Sequence, residues 1–108
     1  MLRIIGRNKC NDTKKAIRYF KERNIKFQFM NLDERELTAG ELNNIFHLAT
    51  PEELIDKNSK EYKKRGMEFM EYDTATELFE DQMLLRTPII IDGKEISVGT
   101  IGKTNPQA

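Results

Sequence analysis

The sequence predicts an α/β fold built on a four-stranded mixed sheet, and three observations carry that expectation. A short apolar run, "LRIIG", ends at Gly6 and is followed at once by a helical pattern and a second alternating run. A helical block with repeated start signals fills the middle of the chain. The end turns β-rich, with two β-branched runs around Asp92-Gly93 in "TPIIIDGKEISVG", a dipeptide that favours a tight hairpin.

The first strand covers residues 2–6. Residues 12–24 place Ala16, Ile17 and Phe20 on one face with Lys and Arg elsewhere, an amphipathic helix. "IKFQFMNL" (25–32) alternates, with Phe27, Phe29 and Asn31 opposite Gln28, Met30 and Leu32, and reads as a second strand. Four short helices are expected within 38–83. Thr38 with Glu41 forms a capping box ahead of Leu42, Ile45, Phe46 and Ala49. Thr50 with Glu53 repeats it, with Pro51 at the first helical position. Ser59 caps a charged helix that stops at Gly66, and Thr74 with Glu77 opens a fourth carrying Leu78 and Phe79. In the hairpin, Ile96 and Val98 share a face. The residues after Gly99 have no periodicity and are expected to fray. Two strands joined by a helix favour parallel pairing with a right-handed crossover. With a hairpin added to that sheet, the pattern is thioredoxin-like: one domain over 1–108, with a helical insertion at about 38–83.

Composition narrows the function classes. The chain has 108 residues, 18 basic and 18 acidic, so overall charge calls for neither nucleic acid nor an anionic membrane. No apolar run approaches the roughly 20 residues of a membrane span. A signal peptide is not expected, because the apolar part of the N-terminus is short and lacks a small-residue cleavage site. The single cysteine excludes an internal disulfide and points to a reducing, cytoplasmic setting. His47 stands beside Phe46 with no second ligand near it in sequence, so no metal site is expected.

Cys10 falls where the first strand hands over to the first helix. Free backbone N–H groups and the positive end of the helix dipole favour a thiolate there, and the thiolate is the nucleophilic form. Arg7, Lys9, Lys14 and Lys15 add positive charge, and Asp12 opposes it. Thr13, three residues on, is placed to donate to the sulfur. Far along the chain, "RTPIII" puts Pro88 after Thr87 at a strand start, a candidate for a cis peptide. In a thioredoxin-like fold the loop holding Arg86, Thr87 and Pro88 faces the cysteine, with backbone for a thiol substrate and a guanidinium for an anion.

"NKCNDTKKAI", "LIDKNSKEYKKRG" and "LLRTPIIIDGKEISVG" resemble the arsenate reductase (ArsC/Spx) family, in order and at family spacing from residue 2 to about 100. The resemblance implies a thioredoxin-like fold with a helical insertion and a nucleophilic cysteine matching Cys10. The chain departs from the reductase pattern. Asp56 and Thr87 stand where that branch has arginines, Lys14 follows Thr13 where it has Arg, and no basic residue stands near Val98 and Gly99. The Cys-x-x-Cys of the regulatory branch is absent, and the family's usual C-terminal helix is not expected. The resemblance and these departures together imply a monothiol thiol–disulfide oxidoreductase acting through Cys10 and Thr13, with poor arsenate reductase activity. It is expected to bind no cofactor and to be turned over by glutathione or a glutaredoxin- or thioredoxin-type protein. The alternative is a regulatory module that, like the Spx branch, contacts RNA polymerase without enzymatic activity.

Overall fold

The computed structural model describes residues 2–99. The chain divides into two compact units, one from residues 1–36 and 87–108 and one from residues 37–86.

The first unit is the sheet unit. It contains β1 (Leu2–Gly6), α1 (Asn11–Glu22), β2 (Phe27–Asn31), β3 (Ile89–Asp92) and β4 (Glu95–Val98). The strand order is β2-β1-β3-β4. β1 pairs parallel with β2 and antiparallel with β3, and β3 pairs antiparallel with β4. This is the thioredoxin-like mixed sheet that the sequence predicts. Its α1 side is packed by Leu2, Ile4, Ala16, Phe20 and Ile90, with Ile17, Ile25, Phe27 and Phe29 against them. Ile5, Ile89 and Ile91, on the alternate positions, are buried too, which is why "III" shows no alternation. In β4 the buried position belongs to Ser97, paired with Ile90 on the α1 side, while Ile96 and Val98 are only half-buried.

α1 ends two residues before the expected residue 24. Asn24 takes a left-handed φ of 57°; its N–H donates to Lys21 O and that of Ile25 to Phe20 O. That pattern closes a helix and needs a residue tolerant of positive φ, a place that Asn fills here instead of Gly.

The second unit is helical: α2 (Ala39–Phe46), α3 (Pro51–Leu54), α4 (Lys60–Lys64) and α5 (Thr74–Glu80), with 3-10 turns at Met67–Phe69 and Gln82–Leu84. The capping box is formed from both sides: Glu41 N donates to Thr38 Oγ1 at 3.1 Å, and Thr38 N donates to Glu41 Oε1 at 2.8 Å. Thr50 and Ser59 cap α3 and α4 as expected. The cap of α5 corrects the expectation by one residue. Asp73 accepts from Thr76 N at 3.2 Å and from the Thr76 hydroxyl, so Thr74 is already inside the helix. A carboxylate at that place also favours the helix dipole. Leu42, Ile45, Leu54, Ile55, Tyr62, Met67, Leu78, Leu84 and Leu85 make the interior of this unit. The unit is tied at its ends by Gln82: Leu37 N donates to Gln82 Oε1 at 2.7 Å and Gln82 Nε2 donates to Leu37 O at 2.8 Å. No helix among the described residues is long and apolar enough to cross a membrane. The fraying expected after Gly99 falls outside the described residues.

Candidate functional site

β1 delivers the chain to the site and α1 begins on it. After Gly6, a tight turn closes with Cys10 N donating to Arg7 O at 3.1 Å, and Cys10 O accepts the first helical bond from Lys14 N at 3.0 Å. Cys10 is therefore the N-cap residue itself, with extended backbone at φ −79° and ψ 118°. The side chain is half-buried and free of any disulfide.

The second half of the site comes from 77 positions away. The Thr87 hydroxyl donates to Cys10 Sγ at 3.2 Å, and the thiol donates to Thr87 O at 3.7 Å. Thr87 leads into Pro88 through a cis peptide. Pro88 is buried, and its carbonyl accepts from Gly99 N at 2.8 Å.

Thr13 lies under the sulfur on the first turn of α1 and is fully enclosed, with 0% exposure. Gly6 makes that position available: a Cβ there would come within 2.6 Å of Thr13 Cγ2. Glycine at the end of β1 thus serves close approach, the common reason for a glycine in a strand.

Burial is the largest influence on the Cys10 thiol and raises its pKa. The hydroxyls of Thr13 and Thr87 and the backbone N–H groups of Thr13 and Asp12 lower it, and together they prevail, leaving the thiol below its ordinary value. The Thr13 hydroxyl has no partner at full hydrogen-bonding geometry. A buried hydroxyl without a partner costs about 1–3 kcal/mol, and a thiolate, a stronger acceptor than a thiol, favours donation from Thr13 as it does from Thr87.

The other predicted site residues contribute less to the sulfur. Lys9 and Lys14 are exposed on either side of Cys10 in the chain, and the lowering of the thiol comes from hydrogen bonds. Arg86 belongs to the helical unit, where its N–H donates to Leu54 O at 2.7 Å and its side chain is exposed. Asp56 is in the same unit and serves a turn: its Oδ1 accepts from Asn58 N at 2.9 Å, and its carbonyl accepts from the Ser59 hydroxyl at 2.8 Å. A carboxylate suits that turn, since Asp mimics a backbone acceptor two residues ahead. Sequence reasoning places Thr87 as an anion or substrate contact and misses its hydroxyl as a donor to the sulfur. It also takes Gly6 only as a strand end. The spacing between Gly6 and Thr13 is the signal that could reveal their close approach. Among the described residues, no group of three or more His, Cys, Asp or Glu is arranged to hold a metal ion.

Residues 6–103 match the family model of the ArsC family. The chain belongs to the ArsC family. Among curated relatives, it is 32% identical over 104 residues to the global transcriptional regulator Spx of Enterococcus faecalis, covering 92% of this chain and 79% of that one. It is 30% identical over 95 residues to the global transcriptional regulator Spx 2 of Oceanobacillus iheyensis, covering 83% and 70%. Among solved structures, an ArsC family related protein from Bacteroides fragilis superposes with a TM-score of 0.79 at 16% identity, over 95% of this chain and 92% of that one. An arsenate reductase from Vibrio cholerae superposes at 0.76 and 14%, over 91% and 88%. At such identities these two structures speak for the fold alone.

Proposed function

We propose that this ArsC-family chain is a monothiol thiol–disulfide oxidoreductase working through Cys10. The carrying observation is the sulfur's placement: a helix N-cap, a Thr87 hydroxyl donating at 3.2 Å, and the buried Thr13 hydroxyl on the first turn of α1, with both hydroxyls lowering the thiol's pKa. In the first step the Cys10 thiolate attacks one sulfur of a mixed disulfide. A Cys10–S–S–R bond forms, the old S–S bond breaks, and the other half leaves as thiolate. The chain has no second cysteine, so an external thiol attacks next. Glutathione or a glutaredoxin- or thioredoxin-type protein restores the Cys10 thiolate and carries the R group away as a new disulfide. No bound cofactor enters this scheme, and a reducing, cytoplasmic compartment suits it.

Arsenate is a poor substrate on this reading. Position 56 carries a carboxylate and position 87 a neutral hydroxyl, where bidentate guanidinium groups would hold an oxyanion. Replacing Thr87 by Arg would add a fork and at the same moment remove the donor at 3.2 Å from the sulfur, so the two changes work against each other.

A regulatory reading is favoured by one observation: the relatives at 30% and 32% identity are named global transcriptional regulators. On that reading the protein contacts RNA polymerase, as the Spx branch does, and Cys10 is a remnant or a glutathionylation sensor. One substitution separates the two. Cys10→Ser should abolish turnover of a glutathione mixed disulfide, because a serine alkoxide is not available near neutral pH. A Cys10→Ser protein that keeps full biological activity overturns the enzyme reading in favour of the regulatory one.

A further inference from the structure

The helical unit carries a second surface that the thiol chemistry does not use. An open cleft of about 380 Å³ lies between α3, α4 and the segment leading into α5. Its carboxylates, Glu52, Glu68 and Glu71, are all exposed, and Lys57 is the one cation among the described residues that line it. Tyr62 and Tyr72 stand in it edge to face, centroids 6.2 Å apart, with their hydroxyls 3.0 Å from each other. Tyr72 is pushed up to about 12, first by the Tyr62 hydroxyl and then by burial, so the cleft's negative charge comes from the glutamates.

Beside the cleft is an apolar ledge. Phe69 is 88% exposed and Met70 53% exposed, above the other exposed large apolar side chains, Phe79 at 38% and Met83 at 45%. The ledge is held in shape: Gly66 turns the chain at φ 67°, Phe69 N donates to Gly66 O and Met70 N to Met67 O, both at 3.1 Å, while Met67 is buried beneath. An apolar side chain presented on fixed backbone and rimmed by charge is the usual composition of a protein contact surface.

We propose that this cleft and ledge bind a basic segment of a partner protein, with Lys or Arg side chains against Glu52, Glu68 and Glu71 and an aliphatic side chain against Phe69 and Met70. Charge complementarity selects the sign, and it sets the rate and specificity of such contacts. The half-buried Tyr72 ring in the cleft points to the same class, because aromatic faces attract ammonium and guanidinium groups. An acidic segment would meet like charges.

The test uses the full chain and a short amidated peptide in which Leu alternates with pairs of Lys or Arg, followed through the protein's amide NMR spectrum. Shifts are expected within residues 52–74, weakening with added salt. Glu68→Lys with Glu71→Lys should weaken binding at least tenfold, and Phe69→Ser severalfold. All three side chains are exposed, so the amide spectra of the variants should report an unchanged fold. Cys10→Ser should bind the peptide as the parent does, which keeps this proposal separate from the thiol reading. The proposal is overturned if the shifts lie elsewhere, if the charge-reversed variant binds equally, or if a matched Glu-Leu peptide binds as well. It is also overturned if the amides of 52–74 shift with protein concentration alone, which would make a second copy the occupant.

Discussion

The sheet unit and the helical unit are stabilised by different means, and the difference follows from the length of their elements. In the sheet unit, five consecutive pairs join β1 to β2, from Leu2 with Phe27 to Gly6 with Asn31. The backbone groups are satisfied by the ladder, and apolar residues such as Ile4, Ile90 and Phe20 fill the α1 side. Side chains there are left free for chemistry, and Cys10, Thr13 and Thr87 use that freedom. The helical unit has helices of 4–8 residues, far below the roughly 12–15 at which isolated helices become marginally stable. At their starts Thr38, Thr50, Ser59 and Asp73 each accept a backbone N–H. Arg65 adds a bridge across α4 and α5, to Glu77 Oε1 at 2.7 Å and Asp81 Oδ2 at 3.3 Å. A unit of short helices commits its polar residues to its own termini, while a unit with a ladder can devote them to a site.

Gln82→Ala challenges this contrast most severely. It leaves the buried N–H and carbonyl of Leu37 without the partners they have at 2.7 and 2.8 Å. A loss of about 3 kcal/mol or more is expected, from two unsatisfied buried groups. Urea unfolding should show it. A loss under about 1 kcal/mol, the net value of one ordinary hydrogen bond, would mean that apolar packing alone holds the insertion.

Gly6→Ala tests the sheet unit by packing instead of hydrogen bonding. The added Cβ meets Thr13 Cγ2 at 2.6 Å, and crowding of this kind costs about 1–3 kcal/mol. Adding Thr13→Ala should recover part of that loss. Strict additivity of the two substitutions would show that the residues do not press on each other.

Ser59→Ala removes the acceptor for Tyr62 N at 3.1 Å and the donor to Asp56 O at 2.8 Å. About 1 kcal/mol is expected, the usual cost of an N-cap. Alanine at Thr38 or Thr50 should give a loss of the same order in the same unfolding assay. Caps that can all be removed without measurable loss would show that the short helices are held by their apolar faces alone.

The smallest effect on stability and the clearest on chemistry is Thr87→Ala. It removes the donor at 3.2 Å from Cys10 Sγ, so the pH midpoint of Cys10 alkylation should rise. The native thiol is lowered below its ordinary value, so ionisation stabilises the fold at high pH, and that contribution is lost as pH falls through the native pKa. The parent should therefore gain stability over Cys10→Ala as pH rises through this window, and Thr87→Ala should narrow the gain. An unchanged alkylation midpoint would remove Thr87 from the site.

Much of the molecule is legible in the chain. Caps are local, so Thr38, Thr50 and Ser59 mark their helices within four residues. The Asp92-Gly93 turn marks the hairpin for the same reason, and it is formed with Gly93 at φ 62°. The placement of Cys10 at the start of α1 follows from the change of pattern after Gly6. The points where expectation and structure differ are also local in origin: Asp73 competes with Thr74 for one cap, and Asn24 takes the place usually given to glycine. Pairings across long separations are another matter. Gln82 reaches Leu37 across 45 positions and Thr87 reaches Cys10 across 77, and neither pairing leaves a periodic trace. Strands, helices and their caps could be read from the residues alone, because propensity, capping and alternation act over a few positions. The environment of the sulfur could be read only in part, as Thr13 on the first turn and a loop at 86–88 facing Cys10; its burial and the Thr87 hydroxyl's donation to the sulfur were decided by folding, which brings α1 and the turn before β3 together.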